Sequence, residues 1–221
     1  MTALPAEFYD RPVLEVARDL VGCTVAFGGA SGVIVETEAY HESEPACHAY
    51  VGLTPRTATL FGEPGRAYVY RSYGIHALLN AVCEPEGTGA AVLIRALEPL
   101  TGAEEMRARR GPIGDRLPRD QDLCSGPGKL TQAMGMWLGE NGASLVDGPV
   151  RIGARPAGWR DPAIVVAKRV GITLAVDLPW RFCVEGNRHV SRPRPAAAEA
   201  LSGRAPGAAR RRMQRARPGL A

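Results

Sequence analysis

Apolar positions along the chain change period several times, and each change predicts an element. Val13, Val16, Ala17 and Leu20 recur at helical spacing, with Asp10 as a capping residue, Pro12 in the opening turn and Gly22 as the stop. Cys23 to Phe27 reads as a strand, and Gly28-Gly29 turns it into a second, Gly32 to Tyr40. That second strand alternates: Val33, Val35 and Thr37 share one face, and Ile34, Glu36, Glu38 and Tyr40 the other. This predicts a half-buried strand ending in a carboxylate and a phenol on one face. The same pattern also fits an exposed edge whose charges deter aggregation.

Beyond it, 41–53 reads as an irregular polar loop, and Thr54-Pro55 as the cap of a short helix through Leu60. Arg66 to Tyr73, His76 to Cys83 and Ala90 to Leu97 read as three strands of an antiparallel meander. Ala103 to Arg110 is a charged helix, and Ser125 or Gly126 opens another that buries Leu130, Ala133 and Met134. Short strands are expected near 150–152, 164–166 and 181–184. After Ser191 the periodicity gives way to Pro, Ala and Arg, which predicts a disordered basic tail over 192–221. The expectation is one α+β domain over 1–191: a compact, curved, mostly antiparallel sheet with flanking helices.

Composition narrows the class. With 45% apolar and 23% charged residues, 221 residues suffice for one well-buried domain. No apolar run approaches the roughly 20 residues that span a bilayer, and the first residues lack a signal-peptide pattern. Five widely spaced cysteines without a C-x-x-C argue against disulfides and zinc and fit a reducing cytoplasm. The formal charge of +4 is uneven. Eight arginines against one acid follow position 191, so the preceding body carries about −3 by the same counting of formal charges. An anion-binding surface on that body must be a local patch.

The candidate chemistry gathers between 38 and 80. Tyr68 and Tyr70 fall on one strand face and Tyr73 at the strand end, more phenols than a core needs. Flat aromatic groups hold nucleobases, and Tyr40, His48 and Tyr70 would give three faces around a purine. Ser125-Gly126-Pro127-Gly128-Lys129 is not a P-loop, because Leu123 and Leu130 stand where that motif needs Gly and Ser or Thr. A helix start there could still hold a DNA phosphate beside Lys129.

With those residues in place, the chain resembles the alkyladenine (3-methyladenine) DNA glycosylase family, in its bacterial form. The matching strings are Val-Glu-Thr-Glu-Ala-Tyr (35–40), Pro-Ala-Cys-His-Ala (45–49), Thr-Pro-Arg (54–56), Tyr-Val-Tyr-Arg-Ser-Tyr-Gly-Ile-His (68–76), Leu-Ile-Arg-Ala-Leu-Glu-Pro (93–99), Leu-Cys-Ser-Gly-Pro-Gly-Lys-Leu (123–130), Arg-Val-Gly-Ile (169–172) and Pro-Trp-Arg-Phe (179–182). They occur in family order.

The resemblance implies a base-excision-repair enzyme acting on double-stranded DNA that contains damaged purines. Tyr73 would wedge into the base stack and the flipped purine would lie between Tyr40 and the pair His48 and Tyr70. Glu38 would activate the attacking water, Arg95 would orient both, and Asn80 would crowd a guanine 2-amino group. Arg56 and Lys129 are candidates for the DNA backbone. With only two lysines, Lys129 and Lys168, a monofunctional enzyme is expected, working as a cytoplasmic, nucleoid-associated monomer without metal or cofactor. Departures from the family pattern, at Cys183, at Arg188-His189 and in a loop from His41 to Glu44 one residue shorter than in vertebrate-type members, are expected to alter pocket walls or loop shape. A non-catalytic nucleic-acid-binding domain and a hydrolase of free nucleosides remain the alternatives. The first gives no reason for Glu38 beside phosphates, and the second no aspartate cluster for calcium.

Overall fold

The computed structural model describes residues 2–195. Two short helices open the chain, α1 (Ala6–Tyr9) and α2 (Val13–Asp19). Asp10 does not cap the second: Pro12 occupies the N-cap with an extended backbone, and the Val13 N–H is instead satisfied by Glu84 Oε1 at 2.9 Å. The cap therefore comes from 71 positions away, where local spacing could not point. Val13, Val16 and Ala17 are buried, as their spacing predicts.

Eight strands make one curled antiparallel sheet. They are β1 (Thr24–Phe27), β2 (Ala30–His41), β3 (Ala67–Ser72), β4 (His76–Val82), β5 (Ala90–Thr101), β6 (Arg151–Gly153), β7 (Ile164–Ala167) and β8 (Arg181–Val184). The main order is β3-β4-β5-β2-β1-β6, with the meander β3–β5 as expected. The β1–β2 hairpin turns at Gly28 and Gly29, both at positive φ (57° and 82°), which a two-residue hairpin of this twist requires.

β2 is the central strand. One edge pairs β5 from Ser31 to His41, while the other is divided: Ala30–Val33 pairs β1 and Glu36–Glu38 pairs β8. β2 is consequently not half-buried, since every residue from Val33 to Ala39 is buried. Strict alternation also fails. The β2–β5 register shifts between Ile34 and Thr37, and Ile34 lies in the main core with Leu97, on the side of Ala39 rather than of Glu36 and Glu38.

That core lies between the sheet and the helices α2, α3 (Ala103–Arg110), α4 (Asp120–Leu123) and α5 (Pro127–Met134). α5 starts at Gly126 with Pro127 in the first turn and buries Leu130, Ala133 and Met134. Two other local expectations change. Thr54 does not begin a helix: its Oγ1 accepts the Thr57 N–H at 3.2 Å, and a single 3-10 turn follows at Ala58–Phe61. Within the 41–53 loop, His48–Val51 forms another 3-10 turn. The chain expected to leave the fold after Ser191 is still tied down, because Arg181 Nη2 donates to the carbonyls of Ser191 (3.2 Å) and Pro193 (3.0 Å). Positions 196–221 of the expected tail lie outside the described residues. No helix among the described residues is long and apolar enough to cross a membrane.

Candidate active site

The site begins with charge buried where β5, β2 and β8 run side by side. Glu38 is opposite Leu93 on β5 and Arg181 on β8, and Glu36 is opposite Cys183. Both glutamates have no exposed surface. Glu36 Oε1 accepts from Arg95 Nε (2.8 Å), Arg181 Nε (2.7 Å) and Ser191 Oγ (2.9 Å), and its Oε2 accepts the Ser191 N–H (2.7 Å). Burial alone would push this carboxyl up, but the two guanidinium groups and the amide bring it below the ordinary carboxylate range.

Glu38 is held differently. Its Oε1 accepts the Val170 N–H at 2.7 Å, and its Oε2 accepts Tyr40 Oη at 2.9 Å and Arg95 Nη1 at 3.1 Å. Burial dominates here and raises the carboxyl despite Arg95 and the two other donors, with the Glu36 charge adding to the rise. Two carboxylates two positions apart thus have their proton affinities driven in opposite directions.

Above Glu38 lies a cavity of about 710 Å³. Tyr40, His48, Tyr70, Asn80 and Arg95 all line it, as do Val170 and Leu174 from the segment after β7. Glu38 itself does not line it; it lies beneath Tyr40, Arg95 and Val170. Tyr68 and Tyr70 stack at 5.3 Å between centroids, and His48 meets Tyr70 edge-on at 4.6 Å. The His48 ring is fixed by Nδ1, 3.0 Å from Tyr68 Oη. Burial, with Arg56 adding, lowers its basicity. Burial raises the Tyr70 phenol to about 12, so it remains a neutral stacking surface. Asn80 is buried and gives Nδ2 to the Tyr68 carbonyl at 3.0 Å, which fixes the orientation of its amide.

At the mouth, Tyr73 stands in the β3–β4 hairpin tip with 86% of its surface exposed and φ of 49°. An exposed aromatic residue at positive φ combines two unfavourable features, a recurring property of functional positions. Arg56 and Lys129 are exposed on the same rim. The helix start beside Lys129 approaches His76 so closely that a Cβ on Gly128 would lie 2.7 Å from the ring. Among the described residues no cluster of acids, histidines and cysteines could hold a metal ion.

Sequence reading left several members of this site without a role. Glu36, Arg181 and Ser191 form the charge layer, and Arg169 and Glu44 pair behind Tyr40 at 2.6 and 2.9 Å. Their signal was weak: all but Ser191 sit inside or beside a recognised string, yet each one's partner lies far away in sequence. Of the two effects expected of the departures, an altered pocket wall is not what their positions give, while Arg188-His189 does lie in a loop after β8. Cys183 packs with Val35, Ala96 and Val190, and His189 is buried outside the cavity, so neither forms a pocket wall.

Comparison with known proteins agrees with this arrangement. The family model for methylpurine-DNA glycosylase (MPG) matches residues 7–188. A protein of Rhodopseudomonas palustris is 53% identical over 188 residues, covering 85% of this chain and 87% of its own length. A protein of Bradyrhizobium diazoefficiens is 50% identical over 192 residues, covering 87% and 92%. One from Methanoculleus marisnigri is 50% identical over 194 residues, covering 86% and 98%. All three carry the provisional name 3-methyladenine DNA glycosylase. The chain belongs to the methylpurine-DNA glycosylase family.

Proposed function

We propose that this DNA glycosylase excises alkylated purines, 3-methyladenine first among them, from double-stranded DNA by hydrolysing the N-glycosidic bond with a water activated by Glu38. The observation that carries the reading is the carboxylate of Glu38, buried beneath an aromatic cavity and held by three donors of different origin. A carboxylate accepts about four hydrogen bonds, so the three donors fix its position and leave capacity for a water. Its raised proton affinity brings it nearer the value at which a general base works best.

The purine leaves the duplex by rotating its nucleotide outward, with Tyr73 taking its place in the stack. It then lies between Tyr40 and the pair His48 and Tyr70, and Asn80 crowds a guanine 2-amino group. Alkylation at N3 or N7 makes the base cationic, so the glycosidic electron pair passes to the ring and the base departs neutral. The water oxygen bonds to C1′, its proton goes to Glu38, and an abasic site remains. While charge develops on the sugar, the same carboxylate stabilises it electrostatically. Arg95, bonded to both glutamates, keeps Glu38 oriented and its charge sustained. Arg56 and Lys129 meet the backbone. No lysine approaches as a Schiff-base nucleophile in this scheme, so the enzyme is monofunctional. Hypoxanthine, ethenoadenine and 7-methylguanine are further substrates to be ranked.

The test is single-turnover release of free base from alkylated DNA and from duplexes carrying each of these lesions, comparing the parent with Glu38→Gln. Release by the parent alone supports the reading. Binding without release by either protein would make this a nucleic-acid-binding domain instead.

A further inference from the structure

We propose that Arg169, together with Glu44, is a positioning pair that aligns Tyr40 and the Val170 N–H on Glu38. The inference rests on Glu38 being the base. The Arg169 side chain has no exposed surface. Its Nη1 donates to Glu44 Oε1 at 2.6 Å and to the Ala39 carbonyl at 3.0 Å, and its Nη2 donates to Glu44 Oε2 at 2.9 Å. The guanidinium carbon lies 4.6 Å from the centre of the Tyr40 ring and 5.3 Å from that of Trp180.

These contacts join three stretches that meet at the site. Ala39 lies between Glu38 and Tyr40 on β2. Glu44 belongs to the loop that leads to His48. Arg169 itself begins the segment whose next residue gives its N–H to Glu38. Residues 168–175 form neither strand nor helix, so no ladder of backbone bonds fixes that N–H against the carboxylate. A bidentate guanidinium–carboxylate pair is directional enough to do so. On the Tyr40 side, a cation on the buried face of the ring holds its plane, leaving the other face to the cavity. Arg169 touches no substrate atom; it acts through Tyr40 and Val170.

The groups facing Glu38 are Arg95, Tyr40, Glu36, Tyr70 and Arg169, with Arg181 opposite on β8. Arg169 is itself one of these charges, so the double variant changes both the charge near Glu38 and the alignment of Tyr40 and Val170, whereas Arg169→Lys keeps the charge and changes the alignment alone. If the pair is lost, Glu38 loses two hydrogen bonds that favour its charged form and gains no new positive charge. Its protonation must then move to higher pH.

The experiment uses the full chain and two variants, Arg169→Met/Glu44→Met, which removes both charges together, and Arg169→Lys, which keeps the charge but not the fork. Thermal melts establish folding. Single-turnover excision of the lesion cut fastest by the parent is then followed against pH. The double variant should lose about 10- to 100-fold in rate, within the usual range for a mispositioned catalytic group, and its acid limb should move upward. Arg169→Lys should show the same shift, reduced. A folded double variant with the parent's profile would overturn the proposal, and so would a slower rate with an unmoved acid limb, which marks mere structural damage. If the double variant does not fold, Arg169→Lys decides alone: an unmoved limb overturns the proposal. Glu38→Gln assayed in parallel separates the two readings. Retained excision by that variant removes the proposed base itself, whereas its loss beside an unmoved limb removes only the role of Arg169.

Discussion

Arg95 gives its shorter bond, 2.8 Å through Nε, to Glu36 and its longer one, 3.1 Å through Nη1, to Glu38. The arginine is therefore shared unequally between two buried carboxylates. Glu36 is also held by Arg181 and Ser191, whereas Glu38 has one cation and two neutral donors. The pairing explains why burial prevails at Glu38 and not at Glu36.

The first consequence is kinetic. The Glu38 carboxyl lies above its ordinary value of 4.5, so excision by the parent should fall as pH drops through a limb displaced above 4.5. In Glu38→Gln the residual rate should be about 10² to 10⁴ times lower, the usual worth of a general base, and flat across that window. A parent limb at or below 4.5 would contradict the assignment.

The two glutamates should also oppose each other in stability. The folded Glu36 carboxyl is depressed, so the unfolded chain binds more protons in the window below 4.5. The Glu36 contribution is present above that window and disappears as pH falls through it. Glu38 is raised, so the folded chain binds more protons above 4.5, and its contribution falls as pH rises. Replacing Glu36 by Gln leaves two buried guanidinium groups short of a partner and should cost about 3–5 kcal/mol, read from urea denaturation at pH 7. The same change removes a negative neighbour of Glu38, so the acid limb of excision should move down. An upward shift would mean that Arg95 has left Glu38.

Tyr73 separates binding from stability. Its φ of 49° suits glycine better, and relief of a left-handed conformation is worth roughly 1–2 kcal/mol, so Tyr73→Gly should keep or raise the melting temperature. On the proposed reading the variant should nonetheless lose nucleotide flipping, seen as a diminished 2-aminopurine signal beside the lesion. A normal flipping signal would remove Tyr73 from the wedge role.

Truncation should be made after Pro195, because Arg181 still binds the Pro193 carbonyl. Residues 196–221 carry six arginines against one acid. Their removal should flatten the salt dependence of non-specific DNA binding while leaving single-turnover excision near the parent's. An unchanged salt slope would make the segment irrelevant to DNA.

What could be read in advance depended on the range of the contacts. The stack of Tyr68 on Tyr70 was legible because two positions on one strand share a face whatever surrounds them. The hairpin at Gly28-Gly29 and the start of α5 were legible for the same local reason. Glu36 was placed on the face of Glu38, but its role was not visible. That role depends on Arg181 and Ser191, which arrive 145 and 155 positions later. Ile34 was assigned to the wrong face because a register shift between neighbouring strands leaves no mark on the composition of either. Arg169 stood in a recognised string, yet its task depends on Glu44, 125 positions earlier.

The divided edge of β2 separates what this molecule can vary from what it cannot. The backbone of Glu38 is paired on both sides, by β5 and by β8. Opposite it, the other wall of the cavity comes from the 3-10 turn at His48 and from the outlying β3–β4 hairpin. Changes in that wall leave the ladder around Glu38 intact. On the proposed reading, substrate range can therefore drift by substitution in one half while the Glu38 half stays fixed, and libraries aimed at new lesions belong in 45–61 and 68–80, leaving Glu44 untouched.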